Sequence, residues 1–129
     1  MIFFITICCQ PRGQNQLCEM LVAAKLFESI TFRHNRGDWW MHFVFLMPDH
    51  LHALVSFPAD KEMKTVVTEW KKYVAREFGI RWQRDFFDHR LRNDESLRDK
   101  EDYIWMNPVR AALVDRPETW PFVWRPATS

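Results

Sequence analysis

The hydrophobic positions of this 129-residue chain change their spacing along the sequence, and each spacing predicts a different kind of element. Residues 2–9 form an apolar run rich in β-branched and aromatic side chains, which predicts a buried first strand that stops at the turn-forming residues 10–13. From residue 15 to about residue 30, apolar side chains recur every three or four positions. This spacing predicts an amphipathic helix with Asn15 as its N-cap.

A hairpin and a second helix are predicted next. Residues 39–47 and 50–57 are apolar or alternating stretches separated by Pro48 and Asp49, which is typical of two antiparallel strands joined by a tight turn. Helical spacing returns over residues 63–78, and a glycine follows at the position that suits a left-handed cap. The two strands of the hairpin are therefore expected to be neighbours in a sheet.

The last third of the chain predicts one more strand and one more helix. Residues 80–89 are rich in aromatic side chains and are expected to be extended. Ser96 begins a sequence that resembles a capping box, so a third helix is predicted over residues 97–107. It should end there because Pro108 disfavours helical geometry for the residue before it. The proline-containing tail from Pro117 onward is expected to wrap the surface.

The order of these elements indicates a fold class. A β-α-β-β-α-β series followed by a helix is typical of the ferredoxin-like split βαβ sandwich, an α+β fold in which two helices cover one face of an antiparallel sheet. The length fits a single domain over residues 1–129. Because this architecture supports many unrelated activities, the fold alone does not indicate a function.

Composition excludes several classes of protein. With 47% hydrophobic and 27% charged residues, the chain is similar to ordinary globular proteins and unlike disordered or membrane-spanning ones. Its three cysteines are odd in number and lack the Cys-x-x-Cys spacing of zinc or redox sites, which indicates a reduced, cytoplasmic protein. The seven tryptophans could build a dense core or stack on unpaired bases, and the core is the favoured use.

The charge balance by itself does not indicate nucleic-acid binding, because the net charge is only +1. A DNA-binding surface must therefore be local. Two runs of basic residues could provide it, although a solvated helix face explains them equally well: Lys71, Lys72, Arg76, Arg81 and Arg84, and then Arg90 and Arg92.

Two histidines of the predicted hairpin form a candidate metal site. His50 and His52 are two positions apart on a strand, so both side chains leave the same face, with about 6.6 Å between their α-carbons. Two imidazoles at this spacing can share one metal ion. On a half-exposed strand, the same pair can also be two surface polar residues without a function. A metal site therefore requires a third ligand.

A tyrosine and an asparagine on the predicted third helix could complete the site. Tyr103 and Asn107 are four positions apart, which puts them on one stripe of a helix. The amide oxygen of Asn107 suits a site with two histidines and one oxygen that leaves positions open for a phosphate. Taken singly, Asn107 is equally well explained as a helix C-cap and Tyr103 as a core aromatic residue.

The combination of a tyrosine with a metal favours phosphoryl transfer. The ordinary pKa of a tyrosine hydroxyl is near 10, so only about one in a thousand is ionised at neutral pH. A divalent ion that holds a phosphate oxygen neutralises charge that develops during the attack and aligns the phosphorus with the attacking oxygen. A metal beside a helical tyrosine is therefore chemically useful for phosphoryl transfer, whereas it would be of little use for acyl transfer.

Three blocks of sequence carry a resemblance to a known family. They are MPDHLH at residues 47–52, WQxxFFDHxLR at residues 82–92 and YIxxNPVRA at residues 103–111. In this order they resemble the single-tyrosine HUH transposases, in the branch associated with repetitive extragenic palindromes (REP). The His-x-His pair alone would be a weak signal, since it also occurs in amidohydrolases, but those enzymes need a barrel about twice this length.

The resemblance implies roles for individual residues. It implies that His50, His52 and Asn107 bind Mg²⁺ or Mn²⁺ and that Tyr103 is the nucleophile. It also implies that the protein binds a single-stranded DNA hairpin, cleaves beside it and keeps the 5′ phosphate on the tyrosine. Members of the family are dimers, so a homodimer is the implied assembly, although the pattern shows no interface. The other tyrosine, Tyr73, is the less favoured nucleophile.

Several other residues of the three blocks can be interpreted in more than one way. The role of Asp88, His89, Arg90 and Arg92 stays open between support of the ligands, DNA contact and local stabilisation. Arg110 could contact a DNA phosphate or cap the third helix, and the cap is favoured. His34 and His42 have no partner at a suitable spacing and are interpreted as structural.

Two other functions remain open at the level of sequence. One is a degenerate relative that binds single-stranded DNA and has lost the chemistry. The other is a zinc protein of unrelated function, which would carry stoichiometric zinc and ignore DNA.

Overall fold

A computed structural model of the chain describes residues 1–92 and 95–127, which contain a five-stranded sheet and four α-helices. The tail also forms a short 3-10 helix at Pro117–Thr119. The elements are, in chain order, β1 (Phe3–Cys8), α1 (Met20–Arg36), β2 (Trp40–Met47), β3 (His50–Ser56), α2 (Met63–Phe78), β4 (Phe87–Arg90), α3 (Leu97–Trp105), α4 (Asn107–Arg110) and β5 (Val123–Trp124).

The sheet is antiparallel throughout and its strands follow the order β4-β1-β3-β2-β5. This arrangement confirms the predicted α+β, ferredoxin-like class. In the register of β1 and β3, Thr6 lies opposite His52 and Cys8 lies opposite His50. The register therefore brings Thr6 and Cys8 of β1 beside the two histidines of β3.

The two faces of the sheet carry different layers. The first face packs against α1 and α2 through one apolar cluster, which includes Ile5, Ile7, Leu26, Ile30, Leu51, Ala53, Val67 and Trp70. The second packs against α3 and the tail through another cluster, which includes Phe43, Phe45, Leu54, Ile104 and Trp120. Because side chains alternate along a strand, His50 and His52 point to the second face with Leu54.

The first helix begins later than its pattern predicts, and the proposed Asn15 cap is wrong. Asn15 instead closes a turn on Cys18, since its Oδ1 accepts from the Cys18 N–H and its Nδ2 donates to the Cys18 carbonyl, both at 2.9 Å. Asparagine readily forms such turns in place of helix. The cap is Glu19, which accepts from the Val22 N–H, and the helix runs to Arg36.

The second helix has the predicted bounds, but the fourth strand is much shorter than predicted. Gly79 ends α2 with φ +73°, a left-handed conformation that favours glycine. Of the expected strand over residues 80–89, the first part makes a single bridge, between Cys9 and Trp82. The buried ammonium of Lys71 donates to the carbonyls of residues 83, 84 and 85 at 2.9 to 3.2 Å, which holds this segment as a loop.

The predicted third helix is divided in two. α3 ends at Trp105 and α4 begins at Asn107, with Pro108 buried in the first turn of α4. Proline is tolerated there because the first N–H groups of a helix have no partner within it. Tyr103 and Asn107 therefore lie on consecutive helices, and Asn107 begins the second one instead of capping the first.

The tail is part of the fold, so its predicted course over the surface is wrong. β5 extends the sheet along β2, and the indole of Trp120 is buried and donates to the Leu46 carbonyl at 2.9 Å. Trp124 is also buried and donates to the Thr31 hydroxyl at 2.9 Å. These buried indoles confirm the prediction that tryptophan side chains contribute to the core. Within the described residues, no helix is long and apolar enough to cross a membrane.

Candidate active site

The two histidines of β3 form a close pair on the face of the sheet that α3 covers. The ring centroids of His50 and His52 are 5.0 Å apart, and both residues are partly buried. Phe4 of the neighbouring strand packs against His52, with ring centroids 5.3 Å apart. The pair therefore has an apolar wall on one side.

Each imidazole is held through its Nδ1 atom. His50 Nδ1 donates to Asp49 Oδ1 at 2.8 Å, and His52 Nδ1 lies 2.9 Å from the hydroxyl of Thr6. A histidine that binds a metal usually has its second ring nitrogen engaged in this way, because that contact sets the tautomer and the orientation of the ring. Nε2 is then the nitrogen of each ring left for a ligand.

Asp49 is itself strongly held. Its carboxylate accepts from Arg12 Nε at 2.9 Å and from the Gly13 N–H at 2.8 Å, in addition to His50. Although burial acts to raise the pKa of Asp49, the hydrogen bonds from Arg12, His50 and Gly13 prevail and hold it well below its usual range. Asp49 is therefore an ionised acceptor for His50 at neutral pH.

His52 is neutral at neutral pH. Burial is the main cause that lowers its pKa to about 3, and the neighbouring His50 and Arg110 add to the effect. Because a metal binds only the neutral imidazole, His52 has no proton to lose before it acts as a ligand.

Tyr103, Asn107 and Arg110 form one cluster at the junction of α3 and α4. Tyr103 is 64% exposed, so its ring is accessible to a large substrate. The guanidinium carbon of Arg110 lies 4.3 Å from the centroid of that ring. Arg110 also donates to the Tyr103 carbonyl at 2.8 Å and to the amide oxygen of Asn107. Arg110 thus caps α3, as the sequence analysis favoured.

The cluster lies on the same face of the sheet as the histidine pair. Ile104 is fully buried in the second apolar cluster, and the ring of Trp105 packs against Phe45 at 6.3 Å. Arg110 is close enough to lower the pKa of His52. Within the described residues, no hydrogen bond or ring contact joins Tyr103 or Asn107 to either imidazole. The structure therefore brings the predicted residues to one face without joining them directly.

The other tyrosine lies on the opposite face of the sheet. Tyr73 on α2 packs beside the first apolar cluster, and the guanidinium of Arg33 lies 4.6 Å from its ring centroid. The histidine pair and Tyr73 are therefore separated by the sheet, which disfavours Tyr73 as the nucleophile.

The second sequence block, which contains β4, forms a hydrogen bond that stabilises the local structure. Asp88, His89 and Arg90 are exposed on this edge strand, and His89 Nε2 lies 3.0 Å from a carboxylate oxygen of Glu95. Glu95 also accepts from the Arg92 N–H at 2.8 Å. His89 thus holds Glu95, the residue before the N-cap of α3.

The remaining histidines have structural contacts, as predicted. His34 Nδ1 accepts from the Met41 N–H at 3.0 Å, and its ring lies 4.5 Å from that of Trp40. His42 Nε2 lies 2.9 Å from the Ser56 hydroxyl. Both lie away from the pair on β3.

Sequence reasoning missed Thr6, Arg12 and Lys100. Thr6 and Arg12 contact the candidate ligands or their partners, and the Lys100 ammonium lies 5.6 Å from the ring centroid of Phe4, which packs on His52. A polar threonine within an apolar strand was the signal available for Thr6. The other two could not be found without the tertiary structure.

Known proteins with similar sequences point to one family. No family model matches the chain. A candidate REP-associated tyrosine transposase of Haemophilus influenzae is 27% identical over 139 residues, which cover 94% of this chain and 77% of that protein. A REP-associated tyrosine transposase of Escherichia coli K12 is 32% identical over 80 residues, which cover 60% of this chain and 48%, or about half, of that protein.

Solved structures give the same result. A REP-associated tyrosine transposase bound to a REP hairpin matches with a TM-score of 0.81 at 26% identity, over 95% of this chain and 74% of that one. A candidate transposase of Deinococcus radiodurans matches with a TM-score of 0.60 over 83% of this chain and 89% of that one. At 15% identity, this second likeness shows the fold alone.

The fold and these relatives indicate the class of protein: the chain is similar to the tyrosine transposases, which are DNA-processing enzymes. Within that class it is similar to the REP-associated tyrosine transposases. The resemblance expected from the three sequence blocks is thereby confirmed.

Proposed function

We propose that this protein cleaves and rejoins single-stranded DNA beside REP-like hairpins through a 5′-phosphotyrosine intermediate on Tyr103. The observation that carries the proposal is an exposed tyrosine on the face of the sheet that also bears two imidazoles with Nε2 left for a ligand. The hairpin is suggested by the related transposase whose structure contains one.

The donor atoms of the site fit a divalent metal. His52 is neutral and the Nδ1 atoms of both histidines are engaged, which prepares both rings to bind a metal. Among the described residues, no group of three or more histidine, cysteine or acidic side chains could hold a metal, so a third ligand from these residues would be of another type. The amide oxygen of Asn107 is such a ligand and suits Mg²⁺ or Mn²⁺.

The reaction needs no additional reactant. The Tyr103 oxygen attacks the phosphorus and loses its proton, the bond from phosphorus to the 3′ oxygen breaks, and that oxygen takes up a proton. The 5′ phosphate stays on the tyrosine until a 3′ hydroxyl attacks it in the reverse sense, which rejoins the strand. A divalent ion at this site would neutralise charge that develops on the phosphate oxygens.

Three cations lie near the histidine pair, but two of them are ion-paired. Arg12 is paired with Asp49 and Lys100 with Glu95, so their charges are largely balanced. Arg110 is close enough to lower the pKa of His52 and would favour binding of the phosphate, although the net charge of the chain is only +1. Lys71, by contrast, is buried and bonded to backbone carbonyls, so this member of the predicted basic runs cannot contact DNA.

The test is a covalent-adduct assay with labelled single-stranded hairpins taken from DNA that flanks the gene. With Mg²⁺ or Mn²⁺, the wild-type protein should form an adduct that survives a denaturing gel, and a chelator should abolish it. Tyr103→Phe should form none, whereas Tyr73→Phe, the matched control on the other face, should react like the wild type.

Each other result has a definite meaning. An undiminished adduct with Tyr103→Phe would overturn the assignment of the nucleophile. Hairpin binding by the wild type with no cleavage in any divalent ion would favour the degenerate binding module. Stoichiometric zinc in the purified protein, without affinity for DNA, would favour an unrelated zinc protein.

A further inference from the structure

Arg110 contacts both residues that the proposed function places at the reaction. Its guanidinium lies against the ring of Tyr103, and the same terminal nitrogen donates to the Tyr103 carbonyl and to the Asn107 amide oxygen. One side chain therefore orients the nucleophile and occupies the oxygen atom proposed as the third metal ligand.

Arg110 and a metal ion would compete for the amide oxygen of Asn107. A guanidinium and a divalent cation are both positive, so they repel each other when they share one amide oxygen. Binding of a metal at Asn107 must therefore work against the contact with Arg110.

We propose that Arg110 is a positioning residue that holds Tyr103 and Asn107 in the metal-free protein and gives up the Asn107 oxygen when a divalent ion binds. This inference rests on the proposed function. It has a consequence that a purely structural role lacks, because loss of Arg110 should strengthen metal binding and weaken cleavage at the same time. A residue that merely stabilised α4 would weaken both.

The first measurement is Mn²⁺ affinity in the absence of DNA, read from the electron paramagnetic resonance signal of free Mn²⁺. Arg110→Ala should bind Mn²⁺ about three to ten times more tightly than the wild type, because a competing positive charge has been removed. At saturating Mn²⁺ it should cleave about ten times more slowly, since the ring of Tyr103 is no longer oriented. Arg110→Lys, which keeps the charge, should have intermediate affinity.

The second measurement reports on Tyr103 itself. The chain has two tyrosines, so 3-fluorotyrosine incorporated into the Tyr73→Phe variant gives one ¹⁹F signal, from position 103. Mg²⁺ should shift this signal when Arg110 is present, because the guanidinium above the ring moves. In the protein that also carries Arg110→Ala, the signal should change much less on addition of Mg²⁺.

Two further variants make the results decisive. Arg116→Ala removes an exposed arginine that pairs only with Glu118 among the described residues, and it should leave Mn²⁺ affinity unchanged. His52→Ala should abolish specific Mn²⁺ binding. If the wild type binds Mn²⁺ no better than His52→Ala, the metal site fails and this inference fails with it. If the wild type binds and cleaves but Arg110→Ala has equal or weaker affinity, the inference alone is overturned.

Discussion

The hydroxyl of Thr6 lies 2.9 Å from Nδ1 of His52, because the register of β1 and β3 places the two residues directly opposite each other. Thr6→Val keeps the shape of the side chain and removes this contact. We expect the affinity for Mn²⁺ to fall about tenfold, as is typical when the partner of a metal-binding histidine is lost.

Isothermal titration of the metal-free protein with Mn²⁺ would measure this effect. Thr65→Val, at an exposed position of α2, is the matched control and should bind like the wild type. Equal affinities for Thr6→Val and the control would show that Thr6 does not orient His52.

Stability should decrease as the pH falls below neutrality. The pKa of His52 in the folded protein is about 3, below the ordinary value of 6.5, so the unfolded chain binds more protons between these values. The free energy of unfolding should therefore decrease through this window by up to about 1.4 kcal/mol per pH unit from this group. Burial also lowers the pKa of His42, which adds a loss of the same sign, and Asp49 contributes below its ordinary value of 3.8.

Urea denaturation at several pH values between 7 and 4, with chelator present, would measure this slope. His52→Gln lacks the titrating group and should lose part of the slope, while His42 remains in both proteins. Parallel stability curves for the wild type and the variant would contradict the assignment.

Lys71 should be important for stability although a lysine is ordinarily exposed. Lys71→Met would leave three backbone carbonyls, those of residues 83–85, without their donor, which should cost about 2 kcal/mol of unfolding free energy. Lys72→Met, at the exposed neighbour, should change stability by less than about 0.5 kcal/mol. Urea denaturation compares the two, and equal losses would show that the buried ammonium has no special role.

The tail should contribute to stability through Trp120. Trp120→Phe removes the donor to the Leu46 carbonyl from a buried position, and we expect a loss of about 1 to 2 kcal/mol. Trp40→Phe, where the tryptophan is 55% exposed, should change stability by less than about 0.5 kcal/mol. Thermal unfolding followed by circular dichroism would distinguish them, and similar melting temperatures would mean that the tail merely covers the surface.

Local patterns predicted most of the fold because the spacing of apolar residues depends on the geometry of each element. The bounds of α2 and the hairpin of β2 and β3 follow this rule, and the two-residue spacing of His50 and His52 puts them on one face. Two of the errors occurred where a distant group decided the structure. Lys71 holds the segment before β4 as a loop, and the tail is ordered by Leu46 and Thr31.

The candidate site likewise has features that local sequence predicts and features that depend on contacts between remote residues. The amino-acid pattern was sufficient to indicate the family resemblance, the two imidazoles on one strand, and a tyrosine four positions before an asparagine. The contacts of Thr6 with His52 and of Arg110 with Tyr103 emerged only from the folded molecule. Strand register and helix packing depend on many weak contacts between remote residues, and the linear order of the chain does not reveal which of them will meet.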